Sequence, residues 1–248
     1  VLLGFHYDDD GGWMFGWAID DVLIFEPEGL DLALTSLAIP PNVNVPATLA
    51  ISGTVTNMGA ETITSFDVSW DIGGGMIFNT SVTGVAIPSL GTYNFTHPDN
   101  LQIFNSGQTS LQVTLSNING LSSDDNSTND VLSMNIQALE YGTIIDGGIE
   151  REYIYYHPSS APENCPLVFV CHGYTGTAEG IMNYSEFNQL ADEYGFAVCY
   201  PQGIEDGGGN TFFNVGYDFQ NNETVDDVAY LQNLNSDLDD AYSLVGDK

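Results

Sequence analysis

The sequence predicts a multidomain chain: an antiparallel β-sandwich followed by the N-terminal half of a parallel α/β sheet, with a short β-hairpin ahead of both. Three observations carry this. Between residues 29 and 138, short alternating runs such as "LDLALTSLAI", "ATLAISGTVTN", "ITSFDVSWDI", "TSLQVTLSNIN" and "NDVLSMNIQ" recur between turn residues, with no helical period. After residue 139 the order becomes apolar strand, amphipathic helix, apolar strand, helix, the pattern of a sheet with parallel strands. Residues 1–28 hold two β-rich runs, "VLLGFHY" and "WAIDDVLIF", on either side of an Asp-Gly turn.

Composition bounds the partners. The chain has 248 residues and is 43% hydrophobic, with 13 Phe, 13 Tyr and 3 Trp, which is enough apolar material for packed cores. It carries 34 acidic residues against two basic ones, Arg151 and Lys248, for a net charge of −32. Nothing here neutralises phosphates, so a nucleic-acid partner is excluded and an anionic membrane surface is disfavoured. An acidic, solvated surface suits a secreted protein. No apolar run reaches the length that crosses a membrane. The first residues read as the middle of a domain, so the chain is expected to be an internal piece of a longer protein. Three cysteines, Cys165, Cys171 and Cys199, have neither a disulfide-framework nor a zinc-site spacing. Cys171 and Cys199 lie in apolar runs, where a buried thiol is expected. A Cys165–Cys199 pair stays open.

In residues 1–28 the two strands alone cannot bury a core. The ending "GWAIDDVLI" resembles the close of jelly-roll domains of the MAM and cleaved-adhesin type. Asp8, Asp9, Asp10, Asp20 and Asp21 offer oxygen ligands for a structural Ca²⁺, against the plainer reading of a polar turn and a strand-end Asp pair. No other cofactor is expected. Residues 29–138 read as a sandwich of immunoglobulin type, and "VTNMGAETITSFDVSWDIGGG" resembles the adhesion-like modules of secreted bacterial proteins. Trp70 is read as core, and His97, just before Pro98, as part of a turn. No catalytic constellation is visible in this unit, which is expected to space or position its neighbours.

In residues 139–248, "EREYIYYHP", "CPLVFVCHG" and "FAVCYP" read as strands. "CPLVFVCHG" is apolar enough to be buried on both faces. "SEFNQLADEYG" reads as a helix with Phe187, Leu190 and Tyr194 on one stripe, Ser185 as N-cap and Gly195 as C-cap. "ETVDDVAYLQNLNSDLDDAYSLVG" reads as a longer helix, with Val225, Val228, Leu231 and Leu238 among its apolar positions. The first strand of the pair ends in "HGYTG". Such a turn can present amides at the carboxyl edge of a sheet, where α/β ligands bind.

Taken in order, "GGIEREYIYYHP", "PLVFVCHGYTGTAEG", "FNQLADEYGFAVCYPQG" and "VDDVAYLQNLNSDLDDAY" resemble the polyhydroxybutyrate-depolymerase and feruloyl-esterase-like family of secreted α/β-hydrolases. That resemblance implies a serine carboxylesterase. The backbone N–H of Tyr174 would then help form the oxyanion hole, supported by His172, Gly173, Thr175 and Gly176. It places Asp226 and Asp227 on the helix before the nucleophile strand and gives Arg151 a structural part as a charge partner. The residues themselves also allow His172 simply to fix the turn, and the two Asp to be helix-start residues favoured by the dipole. No Gly-x-Ser-x-Gly occurs, and neither Ser185 nor Ser243 has a base beside it. The Ser-Asp-His triad is therefore expected beyond Lys248, and this chain alone is expected to be inactive. The implied partner is a polymeric ester or a plant-wall polysaccharide ester, outside the cell. Two other readings remain: a non-catalytic adhesion or carbohydrate-binding protein with a degenerate hydrolase domain, and an α/β-hydrolase serine peptidase.

Overall fold

A computed structural model describes residues 27, 29–162, 164–220 and 222–244. The expected hairpin and its Ca²⁺ candidates Asp8, Asp10, Asp20 and Asp21 lie outside the described residues. Alternation builds the sandwich strand by strand. Its strands are β1 (Leu32–Leu37), β2 (Asn42–Asn44), β3 (Ala47–Asn57), β4 (Ile63–Asp71), β5 (Phe78–Ile87), β6 (Thr92–Ile103), β7 (Gly107–Ser116) and β8 (Val131–Asp146). In β4, Phe66, Val68 and Trp70 point inward; in β7, Leu111, Val113 and Leu115 do so. Period-two placement of this kind sends one face of each sheet to a shared core. One sheet has the order β1-β3-β6, and the other contains β8-β7-β4-β5 with β2 paired to β8. Ile51, Val55, Phe95 and Leu101 of the smaller sheet meet Val68, Trp70, Leu111 and Ile136 of the larger in one cluster.

Trp70 is core, as its pattern indicates: it is buried, stacks on Phe78 with ring centroids 4.2 Å apart, and donates from Nε1 to His97 Nδ1 at 3.2 Å. His97 is not in a turn. It lies inside β6, opposite β3, where the pairing passes from Ser52↔Thr96 to Ala50↔Asn100. A bulge over His97–Pro98–Asp99 removes Pro98 from the ladder, and β6 is an edge strand of its sheet, two conditions that let a strand carry proline internally.

One buried carboxyl strains the end of the sandwich. Asp130, just before β8, is pushed up to about 7, first by burial and then by the charges of Asp124 and Asp31. A free aspartate titrates near ~3.9. Between those values the folded chain holds a proton that the unfolded chain has lost. Stability is thus fullest at low pH and falls as pH rises through 7. The chain is expected to melt at a higher temperature at pH 5 than at pH 8, and Asp130→Asn to flatten that slope. Other groups titrate over the same range, so the measurement is the difference in slope between the two proteins. An unchanged slope in the variant removes Asp130 from the account.

The second unit continues with β9 (Ile149–Tyr156), β10 (Leu167–Phe169), α1 (Ala178–Ser185), α2 (Phe187–Tyr194), β11 (Ala197–Pro201), β12 (Ile204–Glu205), β13 (Thr211–Phe212) and α3 (Asp227–Tyr242). β8 is shared. Its first part pairs with β7 and its last part with β9, so one sheet runs β10-β11-β9-β8-β7-β4-β5 through both units. Residues 138 and 139, where the composition changes, sit in the middle of this strand. The sheet here is mixed, not wholly parallel: β10–β11 is parallel, while β9 is antiparallel to both β8 and β11. β11 is buried throughout and alternates faces. Val198 and Tyr200 pack under α1 and α2 with Met182 and Ala191, whereas Ala197 and Cys199 pack under α3 with Tyr230, Leu234 and Leu238.

Several local expectations change. β10 is three residues long and half-buried, because among the described strands only β11 pairs with it. The expected stripe of α2 is only in part its buried face: Phe187 packs against the core, but Leu190 and Tyr194 are exposed, and Asn188 and Ala191 face inward. Asn188 accepts from the Tyr200 phenol and donates to Gln137, which makes a polar residue the anchor of that helix. Ser185 ends α1 and caps nothing; Thr177 is the N-cap of α1, and Gly195 closes α2 in the left-handed region as read. On α3, Val228 is exposed and Val225 precedes the helix, while Tyr230, Leu234 and Leu238 form the buried stripe. Cys171 is exposed, and all three cysteines are free; Cys165 contacts His157 Nε2 at 3.6 Å. Among the described residues no helix is long and apolar enough to cross a membrane.

Candidate functional site

The turn after β10 is built by its neighbours. His172 is buried, and both ring nitrogens are occupied. Nδ1 lies 2.8 Å from Gly173 O, to which it donates, leaving Nε2 to accept from Gly203 N–H at 2.9 Å and from Gln202 Nε2 at 3.1 Å. The ring also packs on Phe213, with centroids 4.8 Å apart. His172 therefore holds the turn against the segment after β11, and no ring nitrogen is left over for a proton transfer. Gln202 extends the lock by accepting from Ala178 N–H, in the first turn of α1.

The glycines divide the work. A Cβ at Gly176 would stand 3.0 Å from Gly173 O and 3.1 Å from His172 Cβ, so the chain closes on itself there. A Cβ at Gly173 would meet nothing within 4 Å; packing does not demand that glycine, which borders open space. The left-handed residue is Thr175, with φ of 65°. For a β-branched side chain that conformation is a true outlier, costing about 1–3 kcal/mol, and it persists only where surroundings enforce it. They do here. Thr175 N–H donates to Thr211 O at 2.8 Å, and Thr211 Oγ1 donates to Gly176 O at 2.5 Å. Gly176 N–H donates to Gly173 O. The amides of Gly173 and Tyr174 have no partner among the described residues.

Gly173 and Tyr174 line a pocket of about 360 Å³, whose walls also include Phe213, Val215 and Leu231. Apolar walls with a few convergent polar groups are what a small-molecule site needs. Tyr174, Tyr217 and Phe219 form an exposed aromatic rim: Tyr217 and Phe219 stack at 11°, and Tyr174 meets Phe219 edge-on. The Tyr174 phenol donates to Asp206 Oδ2 at 2.6 Å.

Beneath the pocket lies a buried charge pair. Arg151 Nη2 is 2.6 Å from Asp227 Oδ1, and its guanidinium carbon sits 3.8 Å over the Tyr230 ring. Asp227 Oδ2 accepts from Asn214 N–H at 2.5 Å, and Asn214 Nδ2 donates to Val225 O. Asp226 caps α3 by accepting from Ala229 N–H. The adjacent aspartates thus split: one caps the helix, and the other ties α3 to β9 and to the pocket wall. Among the described residues no group of three or more acidic, His or Cys side chains is arranged to hold a metal. Asp206, Thr211 and Phe219 are not legible as site residues in the sequence. "EDGGGN" is legible as a turn, but which distant side chain its Asp holds is not.

Part of the chain that carries this turn is similar to known esterases. Residues 151–212 match the family model described as Esterase PHB depolymerase. The chain is 36% identical over 92 residues to acetylxylan esterase A of Talaromyces purpureogenus; the match covers 37% of this chain and 23% of that protein. The chain therefore spans under a quarter of that relative's length. Among solved structures, the CARDB domain of the PF1109 protein of Pyrococcus furiosus is 19% identical, covering 49% of this chain and 99% of that one with a TM-score of 0.39. A cell-surface protein domain of Methanosarcina acetivorans is 23% identical, covering 44% and 91%, with a TM-score of 0.36.

Proposed function

We propose that this chain is the front part of a secreted carboxylic-ester hydrolase of the α/β-hydrolase class, with its Ser nucleophile beyond Lys248. The observation that carries this reading is the pair of unpartnered Gly173 and Tyr174 amides on a strained, externally enforced turn at an apolar pocket. The strand order β8-β9-β11-β10, with α1 and α2 on one face and α3 on the other, supports it. In the mechanism, the Ser hydroxyl adds to the ester carbonyl as a base takes its proton. The carbonyl oxygen becomes an anion held in part by the Tyr174 N–H. Collapse expels the alcohol, and water then releases the acid. A donor aimed at that oxygen acts only as charge develops, which is why it lowers the barrier.

Charge favours a neutral ester over an acid. Arg151, the one Lys or Arg among the described residues, is buried and paired, so the pocket offers no cation to a carboxylate. The acid product, an anion beside a chain of net charge −32, is repelled rather than held. The β-sandwich would position the enzyme on a polymeric or plant-wall ester, and the shared strand β8 couples the two units directly.

The test compares the 248-residue chain with the protein extended to its natural end, on p-nitrophenyl acetate and methyl ferulate. Turnover by the extended protein and background rates from the chain are expected. A folded extended protein with no Gly-x-Ser-x-Gly and no turnover sinks the reading. A non-catalytic carbohydrate-binding protein then takes its place, for which the exposed rings of Tyr217 and Phe219 are the natural platform.

A further inference from the structure

The hairpin β12–β13 has a tip whose chemistry exceeds what a turn requires. Asp206 Oδ1 accepts from Gly208 N–H at 2.8 Å, Asn210 N–H at 2.9 Å and Asn210 Nδ2 at 3.3 Å, which is ample to close "DGGGN". Its other oxygen, Oδ2, is left free of the turn and takes the Tyr174 phenol instead. The bond is short and charge-assisted, a type stronger than a neutral one. It is also the first cause of two opposed shifts: the phenol of Tyr174 is drawn up and the carboxyl of Asp206 down, as expected for a phenol donating to a carboxylate. Glu223 Oε1 accepts from Gly207 N–H and joins the tip to the segment that leads into α3.

The same hairpin grips the turn on its other side. Thr211, on β13, accepts from Thr175 N–H and donates to Gly176 O. Tyr174 is thus pinned at two points. The peptide plane that follows it is fixed by Thr211, and its side chain is fixed by Asp206. Between these pins lies the Tyr174 N–H, whose direction is set by the backbone they restrain. An exposed tyrosine, here 48% accessible, would otherwise move freely and carry its backbone with it.

We propose that Asp206 is a positioning residue for the Tyr174 amide, acting through the Tyr174 hydroxyl; this rests on the esterase reading of the turn. The role is mechanical. Oxyanion donors work because they are held where the charge will appear, and small misplacements far from the reacting atoms are costly in rate.

The test has two arms. In the extended protein, Asp206→Asn and Tyr174→Phe should each lower kcat about tenfold with KM unchanged, and the double variant should be no slower than either single one. In the 248-residue chain, Asp206→Asn should bring the Tyr174 phenol down toward ordinary tyrosine titration and move the Tyr174 amide ¹⁵N resonance. Tyr174→Phe leaves the hairpin turn intact, which guards against a variant that merely misfolds. Full kcat in both variants, with ester turnover otherwise normal, overturns the positioning role and leaves the esterase reading standing. An amide resonance that does not move overturns it as well. Absence of turnover in the unmutated extended protein removes both readings together.

Discussion

Asp227→Asn is expected to destabilise the second unit by about 3–5 kcal/mol, the cost of leaving a buried charge without its partner. Arg151 has no alternative. Its side chain is fully buried, its Nε and Nη1 already lack partners among the described residues, and its remaining polar contact is a 3.5 Å approach to Gln202 O. The Tyr230 ring beneath the guanidinium favours a cation but cannot replace a carboxylate. The single amide oxygen of the variant cannot accept from both Arg151 Nη2 and Asn214 N–H, so one of the two donors loses its acceptor. A domain is typically stable by about 5–15 kcal/mol, so this loss is a large share of the whole. Two probes separate the units. α1, α2 and α3 all lie in the second unit, so circular dichroism at helix wavelengths follows it, whereas Trp70 fluorescence, read in a background with Trp13→Phe and Trp17→Phe, follows the sandwich. The helical transition should move to lower denaturant and the Trp70 transition should move less. Replacing both partners, Arg151→Met with Asp227→Leu, should recover most of the loss, because desolvation of two charges offsets much of what their attraction contributes. A single-variant loss under about 1 kcal/mol would show that water reaches the guanidinium and that the pair is not a structural anchor.

The sequence carried the broad architecture because period-two alternation and strand–helix alternation are local signals. What it did not carry depends on partners far along the chain. "THP" has the letters of a turn, yet a bulge opposite Ile51 absorbs Pro98 and keeps His97 in a strand, where it meets Trp70. Leu190 and Tyr194 of the α2 stripe point outward while Phe187 packs inward, because Asn188, a polar residue, finds both Tyr200 and Gln137 on the buried side. "HGYTG" was legible as a tight turn, and its glycines drew attention, but the strained position is Thr175. No property of Thr175 itself reveals that; Thr211, 36 positions later, imposes it. Asp206 is hidden for the same reason. A sequence shows which residues can turn, cap or pair, and the fold alone decides which pairs are made.

The largest effect on activity should come from removing one hydrogen. Tyr174→Pro deletes the N–H proposed to meet the oxyanion, and kcat in the extended protein should fall about 10²–10³-fold. The substitution also removes the phenol, so the comparison that matters is with Tyr174→Ala, which loses the ring and its bond to Asp206 but keeps the amide. The alanine variant should lose only the positioning, about tenfold, and the proline variant a further tenfold or more. Any change in KM should be common to both, since both lose the ring at the pocket wall, and the further loss in the proline variant should fall on kcat, because a donor that meets the oxygen only as charge develops contributes to the transition state and not to ground-state binding. Gly173 sets the remaining condition. Its amide is the other unclaimed donor, and a Cβ there would project into open space without a clash. Gly173→Ala should therefore fold normally, and any rate it loses reports substrate access at the turn rather than stability. If proline and alanine at position 174 behave alike, the Tyr174 N–H is not the donor, and the Gly173 amide becomes the one at that turn left to hold the charge.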